Sequence, residues 1–229
     1  MSSHVDAWWN ATPAPAEEPR TDRRQGAPYL DARTAAARVE LIARRALDNR
    51  PAALAALAWY SDARRFSDGL ARAYGLGVEA VAGAIAALSP QVAWSAQVAW
   101  APAIFDAWKQ GADLPGPGLG VNKRKAGRIL AGEAPLDVLG GPKVRAFYRG
   151  IIAGGRTEAV CVDRHAWAAA GGPADATLTG PRYGEAVRAY LDASAALRLA
   201  FRELAPILSP ANVQALVWVW WRDNSEARY

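Results

Sequence analysis

Leu139-Gly140-Gly141-Pro142-Lys143-Val144-Arg145-Ala146-Phe147 reads as a glycine-containing turn that opens a helix. A turn of this kind leaves backbone N–H groups unpaired at the helix start, where they and the helix dipole favour an anion such as a phosphate. Lys143 and Arg145 add positive charge at the same place. A plain helix–helix connection needs the same residues, so the turn by itself does not choose between the two readings.

Downstream lies Val160-Cys161-Val162-Asp163-Arg164-His165-Ala166, followed by the helix-like Trp167-Ala168-Ala169-Ala170. Asp163 is therefore either a helix N-cap or a partly buried carboxylate facing a substrate pocket. Upstream, Ala87-Leu88-Ser89-Pro90-Gln91 places a polar side chain just past an apolar helix end. Between these lies the basic run Asn122-Lys123-Arg124-Lys125 with Arg128, which is a solvated helix face or a surface for an anionic partner. Lys125 can also lie along its helix and cover apolar surface.

From Ala32 onward the pattern around these stretches is helical almost throughout. Ala and Leu dominate, and Ala is the best helix former because it loses no side-chain entropy. Val39, Leu41, Ile42 and Ala46 recur at helical intervals. Further helices are predicted over 52–64, 66–74, 77–88, 92–110, 123–132, 142–153, 183–196 and 210–222. Ser89-Pro90 ends one helix, since the residue before Pro disfavours helical geometry, and Ser209-Pro210 starts another. Val160–Val162 is the one β-like patch. An all-α fold of two packed helical lobes follows, with residues 1–28 a flexible arm and 29–229 a single helical domain.

Composition narrows the function. The 229 residues carry 27 Lys+Arg against 22 Asp+Glu, a formal charge of +5, which permits nucleic acid without requiring it. One cysteine, Cys161, builds neither a disulfide framework nor a cysteine-ligated iron–sulfur cluster, and two histidines make no His-rich metal site. No metal and no cofactor is expected. The longest apolar runs, such as Val217–Trp221, fall far short of the ~20 residues of a membrane span, and Met1–Asn10 does not resemble a secretory signal. A cytoplasmic, reduced setting is expected, with no membrane partner.

Taken in order, these motifs resemble the helix-hairpin-helix (HhH-GPD) DNA glycosylase superfamily, in its endonuclease III-like part. Leu88-Ser89-Pro90-Gln91 resembles the segment that opens the substrate cleft. Leu119-Gly120-Val121-Asn122 with Lys125, Ala126 and Ile129 is similar to the Gly-x-x-x-x-Lys-Ala-x-x-Ile helix. Leu139–Phe147 stands where the hairpin stands, and Val162-Asp163-Arg164-His165 resembles the Val-Asp-Thr-His motif bearing the catalytic aspartate. The likeness covers residues 78–170 and is closest to a divergent branch of the kind encoded by bacteriophages, which places the protein in an infected bacterial cell. Departures are plain. The second hairpin glycine is replaced in Gly141-Pro142-Lys143, and Arg145 falls where lyase-competent members carry a nucleophilic lysine. Arginine stays protonated and forms no Schiff base.

What the resemblance implies is a two-lobed fold without an iron–sulfur cluster, acting as a monomer on duplex DNA. A damaged or modified base is flipped out, at a cost of a few kcal/mol, and its N-glycosidic bond is cleaved. Asp163 would stabilise the oxocarbenium-like sugar, with Lys143 and His165 as further catalytic candidates. Gln91 would fill the gap left by the flipped nucleotide. Gly140, Gly141, Lys143 and Arg145 would hold a phosphate, and Lys123, Arg124, Lys125 and Arg128 would face DNA. Trp59, Tyr60 and Trp94 are the candidates for a base pocket, whereas Trp218 and Trp221, at i, i+3 in an apolar helix, read as core. Two alternatives stand beside base excision: modification of a phage DNA base on the same fold, and DNA binding without catalysis.

Overall fold

Helix α1, Ala32–Asp48, starts where the Asp31 carboxylate accepts the amide of Thr34 at 2.7 Å, satisfying one of the orphan donors of a helix start. Its residues Ala35, Val39, Ile42, Ala43, Ala46 and Leu47 are buried, so one apolar stripe faces the core. Asn49 closes α1 with its own N–H to the Ala46 carbonyl and caps α2, Arg50–Leu57, by accepting from Ala52. Then come α3 (Trp59–Tyr74), α4 (Val78–Leu88), α5 (Trp94–Lys109), α6 (Gly120–Leu130), α7 (Pro135–Val138) and α8 (Pro142–Ile152). The chain continues through α9 (Arg164–Ala169), α10 (Gly180–Ala200), a 3-10 turn at Ala205–Ile207 and α11 (Pro210–Asn224). The computed structural model describes residues 30–173 and 176–224. Every regular element among them is helical, and the fold is all-α. The arm expected over 1–28 lies outside the described residues.

The chain divides into two units. One is Ser67–Gly140, built around α4, whose residues from Val81 to Leu88 are all buried. A helix apolar on every side has to be covered on every side, and α6 and α7 pack against it. A Cβ at Gly83 would stand 2.8 Å from Pro135, so glycine is what lets α7 approach this closely. In the same unit the Tyr74 hydroxyl lies 3.0 Å from the Asp106 carboxylate and 3.1 Å from the Pro102 carbonyl, fastening the end of α3 to α5.

The other unit comprises the described parts of Pro28–Phe66 and Gly141–Tyr229. Here α1 packs on α10 and α11, and α11 also packs on α2 and α9. Trp167, Tyr190, Leu197, Leu208 and Leu216 are fully buried, together with Val39 and Val160. Each such large apolar side chain contributes about 1.5–3 kcal/mol by leaving water. Ser209 caps α11, its hydroxyl accepting from Asn212 and its carbonyl from Val213, as the Ser-Pro start signal predicts.

Three local expectations shift. The break predicted between 64 and 66 falls at Ala58, where the Ala58 amide still reaches Leu54 and the Asp62 amide still reaches Ala58. Helices predicted from 123 and 183 begin at Gly120 and Gly180 instead. Val160–Val162 is not a strand: the Tyr183 hydroxyl donates to the Val160 carbonyl at 2.6 Å and accepts the Val162 amide at 3.3 Å. One side chain of α10 thus supplies the pairing that a neighbouring strand would otherwise have to supply.

Candidate active site

Asp163 is the N-cap of α9. Its Oδ1 accepts the amides of His165 and Ala166, each at 2.9 Å. The second carboxylate oxygen is also taken, because the indole Nε1 of Trp218 on α11 donates to Oδ2 at 2.8 Å. Three N–H donors therefore converge on one half-buried carboxylate. The two readings of Asp163 from sequence are not exclusive: capping fixes the side chain, and the fixed side chain is a negative charge held in one place.

The Trp218 ring and a cation stacked on it stand next to the carboxylate. The Arg222 guanidinium sits 4.4 Å from the centroid of the Trp218 ring, close enough for cation–π attraction. Burial depresses the pKa of Arg222, while Asp223 and Asp163 oppose that. The Lys143 ammonium, half-buried on α8, acts electrostatically on both Cys161 and His165, the residues two places either side of Asp163. No carboxylate among the described residues ion-pairs with Lys143.

His165 is buried, and burial drives its pKa down to about 4. The Asp163 charge pulls the other way, and Arg164, Arg222 and Lys143 reinforce the depression. The imidazole is thus neutral near pH 7. Burial pushes the Cys161 thiol up to about 12, against the opposing Lys143 charge, so it is not a thiolate nucleophile. Tyr60 is buried beside Cys161, its hydroxyl 3.2 Å from Gln214 Oε1.

The glycine turn has the geometry expected of it. Gly141 takes φ +71°, a conformation few side chains tolerate, and Pro142 begins α8 with no side-chain cap. The Arg145 amide bonds back to the Gly141 carbonyl, whereas the amides of Lys143 and Val144 meet no acceptor among the described residues. Lys143 and Arg145 stand two residues apart on α8, about 200° around the helix. Arg145 lines an open groove of about 550 Å³ with Arg149, Glu158 and Tyr183.

The remaining candidates fare differently. Gln91 is exposed and has φ +64°, the one non-glycine at positive φ among the described residues. Lys123 donates to the Gly116 carbonyl at 2.7 Å, and Arg128 is held by both Glu133 carboxylate oxygens. Two of the four basic-run cations are therefore engaged within the protein. Arg124 is exposed, and Lys125 reaches the backbone at Gly140. Tyr60, with its ring covered, offers no face for stacking a base. Trp59 is half-exposed and packs on Phe147 at 5.8 Å, and Trp94 is half-exposed at the start of α5.

Sequence reasoning placed Trp218 in the core and did not single out Arg222, yet both stand beside Asp163. The missed signal was weak but present. Arg222 ends a Trp-rich helix and lies four residues past Trp218, the spacing that stacks side chains on one helix face.

Residues 23–225 match a family of unknown function (DUF7178), and the chain belongs to it. None of the curated proteins and none of the solved structures matches the chain. No single helix among the described residues is long and apolar enough to cross a membrane.

Proposed function

We propose that this protein is a helix-hairpin-helix-type DNA glycosylase, which flips a damaged or modified base and cleaves its N-glycosidic bond. The observation that carries the reading is the Asp163 carboxylate, held by the His165 and Ala166 amides and by the Trp218 indole, whose ring carries the Arg222 guanidinium. As the bond breaks, its electron pair leaves with the base and the sugar acquires oxocarbenium character. A carboxylate already oriented needs no reorganisation to stabilise that charge. Water then adds to the sugar, and its proton passes to solvent or to the departed base. His165, neutral near pH 7, braces the site without adding a competing positive charge.

Further support comes from the Gly141 turn, with the free amides of Lys143 and Val144 available to a phosphate. Lys143, an amine at the start of α8 with no ion-pair partner among the described residues, favours a second reading. Its neutral amine attacks the sugar C1′ as the N-glycosidic bond breaks and the base leaves with the electron pair. Cleavage of the C1′–O4′ bond, with a proton passing from nitrogen to O4′, gives the Schiff base, and β-elimination then expels the 3′ phosphate.

The test is base release from duplexes carrying unmodified, damaged and hydroxymethylated or further modified pyrimidines, with free bases read by mass spectrometry. Asp163→Asn keeps a capping oxygen for α9 and is expected to remain folded while losing base release altogether. Borohydride trapping separates the readings: a trapped complex that vanishes in Lys143→Gln supports the lyase, and none supports simple hydrolysis. Base alteration without release would favour the modifying enzyme. Duplex binding indifferent to Asp163, with no reaction on any substrate, would favour a binding protein.

A further inference from the structure

Outside the Asp163 site, the unit formed by α1, α2 and α8–α11 carries two open grooves that share Glu158 in their walls. The first, next to the glycine turn, is lined by Arg145 and Arg149 of α8. The second, about 540 Å³, is lined by Arg156, Arg188 and Arg198, with Thr157 and Ser209. Arg188 is paired with Asp192 at 3.1 Å. Arg149, Arg156 and Arg198 are exposed and have no ion-pair partner among the described residues.

We infer that these two grooves form one continuous track for the phosphate backbone of DNA, extending from the glycine turn past Glu158 to Arg198. This deepens the DNA-binding reading above and rests on it. Guanidinium forks match phosphate oxygens in pairs, and three of them here are uncompensated. Length fits as well. Ten residues of α10 separate Arg188 from Arg198, a rise of about 15 Å, which is four to five nucleotide steps at about 3.4 Å each. Among the apolar residues in the wall of the second groove, Leu191 is the one large side chain, the others being alanines and prolines. A protein partner would call for a larger apolar centre. Glu158 opposes a phosphate at the junction of the grooves, which gives the track a residue whose removal should tighten it.

The experiment is fluorescence anisotropy of a labelled duplex titrated with the full chain at several salt concentrations. The double variant Arg156→Gln/Arg198→Gln is expected to flatten the log–log salt dependence by about 1.8, at about 0.9 per lost phosphate contact. Glu158→Gln is expected to bind more tightly than wild type. A double variant with the wild-type slope would overturn the track while leaving DNA binding intact. Wild type that fails to bind duplex at low salt would instead remove the DNA reading and the track with it. Arginine-dependent binding of polyglutamate, together with an unchanged DNA slope, would overturn the track in favour of an acidic protein partner.

Discussion

The indole Nε1 of Trp218 donates to Oδ2 of Asp163 at 2.8 Å, joining α11 to the N-cap of α9 across 55 residues of sequence. Since Oδ1 is occupied by two backbone amides, this bond fixes the remaining rotational freedom of the carboxylate. Trp218 also carries the Arg222 guanidinium on its ring. It is therefore a positioning residue for Asp163 rather than part of the packing alone.

Trp218→Phe keeps most of the ring and removes the donor. The expected cost is about 1 kcal/mol of stability and, if Asp163 acts on the sugar, a roughly tenfold fall in the single-turnover rate of base release. DNA affinity should be unchanged. A variant that loses only stability, with its single-turnover rate intact, would reduce Trp218 to a packing residue.

How much of this was readable from sequence depended on distance along the chain. The α9 cap is local: Asp163 meets amides two and three residues on, so a motif reading finds it. Trp218 is remote, and an i, i+3 apolar pattern gives no hint that its N–H leaves the core. Where α8 begins hung on the geometry at Gly141, φ +71°, and from that start Lys143 and Arg145 diverge by about 200° around the helix. Conversely, the pairing of Arg128 with Glu133, five residues away, was open to a local charge reading that would have removed one cation from the basic run. The Tyr60 ring looked available beside polar neighbours, but its burial comes from contacts with α8 and α11 that no local pattern reports.

Gln91 supplies the second prediction. Its φ of +64° is a left-handed conformation that costs a side-chain-bearing residue about 1–2 kcal/mol. Gly has no such cost but a larger unfolded-state entropy, about 0.5–1 kcal/mol. Gln91→Gly should therefore raise stability by up to about 1.5 kcal/mol, read as a higher midpoint in urea. If the residue fills the space of a flipped nucleotide, the same change should lower base release. A less stable variant would show that the Gln91 side chain contributes more than its backbone conformation costs, and full activity would remove it from the base-flipping role.

The third prediction concerns pH. Burial, with the Arg164, Arg222 and Lys143 charges, holds the His165 pKa at about 4, below the 6.5 of an unperturbed imidazole. Between these values the unfolded chain binds a proton that the folded chain refuses, so His165 makes stability rise with pH across this window. The contribution is fully present above about pH 6.5 and is lost as pH falls towards 4. From pH 7 to pH 5 it amounts to about 2 kcal/mol. Comparing urea unfolding of wild type and His165→Gln at the two pH values cancels the other titrating groups. Wild type should lose about 2 kcal/mol more than the variant on acidification. Equal losses would mean that His165 protonates in the folded state as readily as in the unfolded chain, with no charge refused beside Asp163.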